Sequence, residues 1–449
     1  MKAQDLILKH APMSIQNIAI SLYNNNLYRE RHAGVYKKMM EYYKRCPTIS
    51  PDEVREEQQR KLADFLHHAT ENSAWYAPYK GRRLEEFPIL EKSDILQNLE
   101  KIATIKEDQA IIFCTGGTTG SSMKVLYTPA DIQERFAIID TFRATYGYTL
   151  GKKTAWFSGK NITQERDLAR GTLYRDDHIN KIRFFSTFHI APRNFEAYWK
   201  AFTDYAPEYI IGIPSCIVDL CKMALDRGLH FHGHVKAFFA TAETIHAGHR
   251  EVIRKALDCP LIDQYSSSEG APYILECPHG SLHIHPLSGI FEVVDENMQP
   301  AREGEILVTS FTTYGTPLIR YRIGDRIKLA ADDFRCSCGS CFPVAEYIDG
   351  RATEFVVSVD GVRIFIGNIC NSTKGVQGIQ CFQISQHSRE EILVKMVCSN
   401  KFDIFQELKF KEALRQRLGP DMIINLSRVS EIPREKSGKF RVIKNSIAI

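Results

Sequence analysis

Apolar residues recur three and four positions apart through most of residues 1–105, with charges between them, and residues 58–70 are a clear instance. That spacing puts one apolar stripe on each helix and predicts a mostly helical N-terminal region. The pattern changes near residue 110. From there to about residue 347, short apolar runs alternate with helical stretches. Tyr209-Ile210-Ile211-Gly212-Ile213 predicts a strand, and residues 215–227 a helix. Residues 237–240 predict another strand, and residues 246–257 another helix. This alternation predicts sheets with helices on their faces. Residues 305–309 and 326–329 predict strands of a more β-rich portion. Beyond residue 348, strands are expected near 354–359 and 391–397, with a strong helix over 402–418. The expected fold class is therefore α/β. A large multi-sheet domain spans residues 1–352, and a small mobile α+β domain spans residues 353–449. Internal repeats, low-complexity tracts and long linkers are absent from the sequence.

Composition narrows the class. At 449 residues the chain is too long for a single core. A 44% hydrophobic and 25% charged content is that of a soluble globular enzyme. The net charge of +4 gives no reason to expect nucleic acid as a partner. There is no run of about 18 apolar residues to span a membrane, and the first residues lack the apolar core of a signal peptide. A cytoplasmic location is expected, with the twelve cysteines reduced.

The stretch richest in chemistry is Thr115-Gly116-Gly117-Thr118-Thr119-Gly120-Ser121-Ser122-Met123-Lys124. Glycines let a backbone approach a ligand closely, and successive N–H groups form an anion-binding concavity. The hydroxyls and the lysine add donors and a positive charge. The spacing is not that of a P-loop, which runs from a strand into a helix. Apolar residues 110–114 and 125–128 flank it, so a loop between two short strands is expected. An ordinary polar turn has the same composition.

Three further motifs follow. Tyr265-Ser266-Ser267-Ser268-Glu269-Gly270 offers an aromatic ring for stacking and a carboxylate for a hard cation. Asp325 closes Tyr321-Arg322-Ile323-Gly324-Asp325, where a carboxylate can accept both hydroxyls of a ribose. Arg351 follows Asp349-Gly350 at a position suited to a hinge. Near the C-terminus, Lys439 ends the basic, glycine-containing loop 433–439. Taken singly, each is also what a solvated turn or tail looks like.

The cysteines form one cluster by spacing. Cys336, Cys338 and Cys341 lie within six residues, and Cys277 precedes Pro278-His279. Four soft ligands in a reducing compartment suggest tetrahedral Zn²⁺. The expected set is Cys277, Cys336, Cys338 and Cys341, with His279 as the substitute for Cys277. The alternating His230, His232 and His234 are expected on a solvated edge.

With these motifs in one order, the chain resembles the adenylate-forming superfamily. The nearest branch is that of phenylacetate–CoA ligases, CapK-like proteins and coenzyme F390 synthetases. Phe87-Pro88-Ile89-Leu90-Glu91-Lys92 and Gly212-Ile213-Pro214-Ser215 match that branch, and the resemblance covers nearly the whole chain. It implies an ATP-dependent ligase that makes an acyl-adenylate and passes the acyl group to CoA or another thiol. An amine, a carrier protein or AMP transfer to a hydroxyl are the alternatives. By resemblance, residues 115–124 wrap the β- and γ-phosphates. Ala242 and Glu243 line the adenine pocket, Tyr265 and Ser266 flank the adenine, and Glu269 holds Mg²⁺. Asp325 grips the ribose with help from Arg351, Lys439 bridges carboxylate and α-phosphate, and His189 lies beside the acid. The chain departs from the family pattern at Gly116, where serine is usual, at Ser266, where many relatives have glycine, at Thr353, where aspartate often serves as hinge, and in reaching Lys124 one residue late.

Overall fold

The computed structural model describes residues 11–46, 49–114, 123–159, 162–245, 247–349, 355–373, 375–432 and 442–447. Its architecture is mixed α/β with several sheets. The N-terminal region is helical, as its spacing predicts, with helices Met13–Arg31, Tyr36–Arg45, Pro51–Asn72 and Lys92–Ile102. Helix Pro51–Asn72 starts on a capping box. The Ser50 hydroxyl accepts from the Glu53 amide at 3.2 Å, and the Glu53 carboxylate accepts from the Ser50 amide at 2.8 Å.

Strands Thr154–Ser158, Ile182–Ser186, Tyr209–Gly212, Ala237–Ala240 and Leu261–Ile262 run parallel in one sheet. Tyr174–Asp177 joins it as an antiparallel edge. Both faces are covered. Phe157, Phe185, Ile210 and Phe238 pack against residues of helices Phe195–Tyr205, Pro214–Leu225 and Ala247–Leu257. Tyr209, Ile211, Ala237 and Phe239 face the opposite way, toward Ala137, Ile138 and Phe142 of helix Pro129–Ala144. A strand wedged between two helical layers must be apolar on both sides, and all four residues of Tyr209–Gly212 are buried.

A second, seven-stranded sheet is antiparallel throughout. Its order is Gly289–Val294, Glu303–Ser310, Tyr321–Leu329, Val344–Asp349, Leu282–Ile284, Ile274–Glu276 and Gln264–Tyr265. Helix Pro51–Asn72 lays Phe65 and Ala69 into the core beneath it. The C-terminal residues build a four-stranded sheet with helix Ile404–Leu418 around Phe382, Val394, Phe410 and Ile424.

Helix Met13–Arg31 is inverted relative to the usual pattern. It buries Gln16, Asn17, Ser21 and Asn24 and exposes Ile15, Ile18, Leu22 and Tyr23. The cause is its neighbour, the edge strand Tyr174–Asp177, whose Arg175 and Asp177 are themselves buried. Buried charges require polar partners. Gln16 accepts from Arg175 at 2.6 Å, and Asn24 donates to Asp177 at 2.9 Å. The backbone amides of Asp176 and His178 donate to Asn17 and Ser21 at 3.2 and 2.9 Å. No helix among the described residues is long and apolar enough to cross a membrane.

Candidate functional site

In open α/β sheets, ligands bind beyond the carboxyl ends of parallel strands. Four of the sequence candidates lie there. His189 follows strand Ile182–Ser186, and Ser215 follows Tyr209–Gly212. Ala242 and Glu243 follow Ala237–Ala240, and the turn 265–270 follows Leu261–Ile262. Parallel register sets these ends side by side, with Gly212 paired to Ala240.

The turn at 265–270 is tightly held. Tyr265 donates its hydroxyl to Asp325 Oδ2 at 2.7 Å, which joins two of the motifs directly. Behind the turn stands Arg135 of helix Pro129–Ala144, a residue that belongs to none of the motifs. Its Nη1 donates to the carbonyls of Gly270 and Ala271 at 3.0 and 3.2 Å and to Thr312 Oγ1 at 2.9 Å. Its Nη2 donates to Ser266 Oγ at 2.6 Å. The guanidinium also lies 5.0 Å from the Tyr273 ring centroid. A buried cation with this many acceptors acts as a rivet. Tyr127 reaches the same turn and donates to the Ser268 carbonyl at 3.1 Å. Glu269 sits half-buried between these anchors.

The flanks of the glycine-rich loop pair as an antiparallel hairpin, Ile111–Cys114 with Lys124–Tyr127, and Cys114 is opposite Lys124. Lys124 extends to the Glu107 carboxylate at 2.9 Å. The loop residues Thr115, Gly116, Gly117, Thr118, Thr119 and Gly120 lie outside the described residues, as do Arg351 and Lys439.

On the other side of the sheet end, Ala242 takes a left-handed φ of +67°, which costs energy for a residue with a Cβ. It turns the chain so that Glu243 Oε2 accepts from the Ser215 amide at 3.2 Å, at the start of helix Pro214–Leu225. Burial pushes the Glu243 carboxyl up to about 7. The His189 ring pairs through Nδ1 with Ser186 Oγ at 2.9 Å. Burial, aided by the nearby Arg193 charge, pulls His189 down to about 4, so it is neutral at pH 7. His230 and His232 both meet the Lys255 carbonyl on an exposed edge.

The cysteines gather at the far end of the antiparallel sheet. The donor atoms of Cys277, His283, Cys336 and Cys338 all lie within 4.8 Å of one another. Two residues expected in or near this set fall elsewhere. Cys341 turns its Sγ toward the Ile49 carbonyl at 3.8 Å, and His279 pairs with Ser337 at 3.0 Å. His283 takes the fourth place. It sits on strand Leu282–Ile284 with its Nε2 on Cys338, whereas Cys341 lies beyond the turn that closes Gly339 onto Cys336. A histidine six residues after Cys277 was the available signal.

Comparison with known proteins follows the same lines. The sequence model of the CapK C-terminal domain matches residues 356–446. The CapK protein of Staphylococcus aureus is 28% identical over 459 residues, covering 98% of this chain and 99% of its own. A phenylacetate–coenzyme A ligase of Escherichia coli K12 is 24% identical over 360 residues, 71% of this chain and 75% of its own. The crystal structure of 2-hydroxyisobutyryl-CoA ligase with 2-HIB-AMP and CoA superposes with a TM-score of 0.59 at 18% identity, covering 89% of this chain and 91% of that one. With the fold, these likenesses support the adenylate-forming superfamily. Within it, the likenesses support the branch of CapK-like proteins and phenylacetate–CoA ligases.

Proposed function

We propose that this protein is an ATP-dependent ligase that converts a carboxylic acid to its acyl-adenylate, releases pyrophosphate, and passes the acyl group to CoA or another thiol. The observation that carries this reading is the 2.7 Å bond from Tyr265 to Asp325. It brings an aromatic face and a ribose-type acceptor together at the carboxyl end of the parallel sheet, where a nucleoside needs both.

A carboxylate is a poor electrophile. In the first step its oxygen bonds to the α-phosphorus of ATP while the α–β anhydride bond breaks, and pyrophosphate leaves with the electron pair. In the second step a thiol gives up its proton, its sulfur bonds to the acyl carbon, and AMP departs. Two anions meet in the first step, so charge neutralisation and positioning are the protein's main tasks. Lys439 meets the carboxylate and the α-phosphate, and residues 115–124 wrap the outer phosphates. Glu269 offers a hard carboxylate oxygen to Mg²⁺, which when bound neutralises phosphate charge. Ala242, Glu243 and Ser266 line the base, and Asp325 with Arg351 holds the ribose. His189, being neutral, lines the acid pocket without competing for its charge.

Residues 1–352 form the body in this reading, and residues 353–449 a cap that delivers Lys439 and withdraws it for the second step. The core running from Val356 to Ile443, to which the body adds Ala191 alone among the described residues, supports that division.

The test is a pyrophosphate-release screen over acids, with CoA or amines present in turn. Lys439→Ala should lower acid-dependent release at least ~100-fold while the melting midpoint stays put. Unchanged release removes Lys439 from the mechanism. Release that ignores every acid and tracks a phenol instead points to AMP transfer to a hydroxyl.

A further inference from the structure

We propose that Cys277, His283, Cys336 and Cys338 bind one tetrahedral Zn²⁺, and that this ion clamps the strands bearing Tyr265 and Asp325. Distances come first. The Cys277 and Cys336 sulfurs are 3.7 Å apart, and Cys338 Sγ is 3.3 Å from His283 Nε2. Zn–S bonds of about 2.3 Å and Zn–N bonds of about 2.0 Å give tetrahedral edges of roughly 3.8 and 3.5 Å. The four donors thus already stand close to the corners of such a site. A disulfide needs sulfurs about 2.0 Å apart, so the cluster is spaced for an ion and not for a covalent bond.

The surroundings orient the donors. His283 Nδ1 faces the Phe342 carbonyl at 3.2 Å. That contact holds the proton on Nδ1 and turns the Nε2 lone pair toward the cluster, the usual arrangement behind a metal-bound imidazole. The amides of Cys338 and Ser340 donate to the sulfurs of Cys336 and Cys338, each at 3.4 Å. Such N–H groups stabilise thiolates. Three thiols and one imidazole are a soft set that selects zinc over magnesium or calcium. Zinc takes the cysteines as thiolates, so binding releases whatever protons their sulfurs carry.

The placement says what the ion does. Cys277 follows strand Ile274–Glu276, which pairs with the strand carrying Tyr265. Cys336 and Cys338 lie in the loop between strand Tyr321–Leu329, which carries Asp325, and strand Val344–Asp349. An ion holding both ends fixes the hairpin to that loop. It is a structural clamp on the nucleotide-facing strands, and its four places are all filled by protein.

The experiment reads metal directly and needs no substrate. The full chain, expressed and purified without chelator, is analysed by mass spectrometry for metals. About one zinc per chain is expected, because structural Zn²⁺ binds tightly. Cys338→Ser and His283→Ala should fall below ~0.2, and Cys341→Ser should keep about one. If His283→Ala is insoluble, His283→Cys supplies a fourth thiolate and should retain the zinc. Wild-type protein below ~0.2 zinc overturns the proposal. So does loss of zinc in Cys341→Ser with retention in His283→Ala, or iron in place of zinc.

Discussion

Gly270 takes a φ of +110°, and a Cβ there would lie 2.4 Å from Thr313 Cγ2 and 2.7 Å from the Tyr127 hydroxyl. No side chain fits that position without moving the turn. Gly270→Ala should therefore displace residues 266–270 and raise the ATP concentration for half-maximal pyrophosphate release at least about tenfold, since misplacement alone costs that much. An unchanged ATP dependence would show that this turn does not hold the nucleotide. At this scale, what could be read from the sequence was the chemistry carried by short motifs. Tyr265 opens a Ser-rich motif ending in Gly270, Asp325 follows Gly324, and they meet. Arg135 could not be found that way. It is one basic residue in a helix, and only the fold reveals that it serves carbonyls over 130 residues distant. His283 was hidden for a related reason: spacing along the chain favoured Cys341, but that thiol turns away toward the Ile49 carbonyl.

Elements were legible where one periodicity ruled. Strand Ala237–Ala240 is found at its expected bounds, and helices Pro214–Leu225 and Ala247–Leu257 lie within two residues of theirs. Their apolar faces meet the sheet and each other. The pattern says nothing of what ties one element to another. Asp131, at the third position of helix Pro129–Ala144, is such a tie. Its carboxylate accepts from its own helix start, the Thr128 amide, at 2.8 Å. It also accepts from the amides of Tyr314 and Gly315 at 2.9 and 3.0 Å. Asp131→Ala strands three amide donors, that of Gly315 fully buried, at about 1–2 kcal/mol each. The melting midpoint should drop by roughly 5–10 °C, as expected for a loss of that size in a chain this long. A drop within error would mean that water replaces the carboxylate at no cost.

At the scale of the whole molecule, the described residues rest on four cores: one under the antiparallel sheet, one on each face of the parallel sheet, and one in the C-terminal residues that also takes in Ala191. The change of pattern near residue 110 announced the passage from helices to sheets. The inverted helix Met13–Arg31 was not announced, because reading apolar residues as inward fails when the neighbouring strand is charged. That helix has a consequence for assembly. A bare edge strand is a template on which a second chain can add its own strand. Here the outward amides of Asp176 and His178 are already taken by Asn17 and Ser21, so the helix acts as a sheath over the open side of the sheet. Removal of residues 1–31 should leave that edge bare. The shortened chain should self-associate at micromolar concentration, seen as rising light scattering beside a monodisperse parent. If it stays monodisperse, the sheath is dispensable. Otherwise, the N-terminal helix is what keeps neighbouring copies from joining their sheets into a continuous polymer.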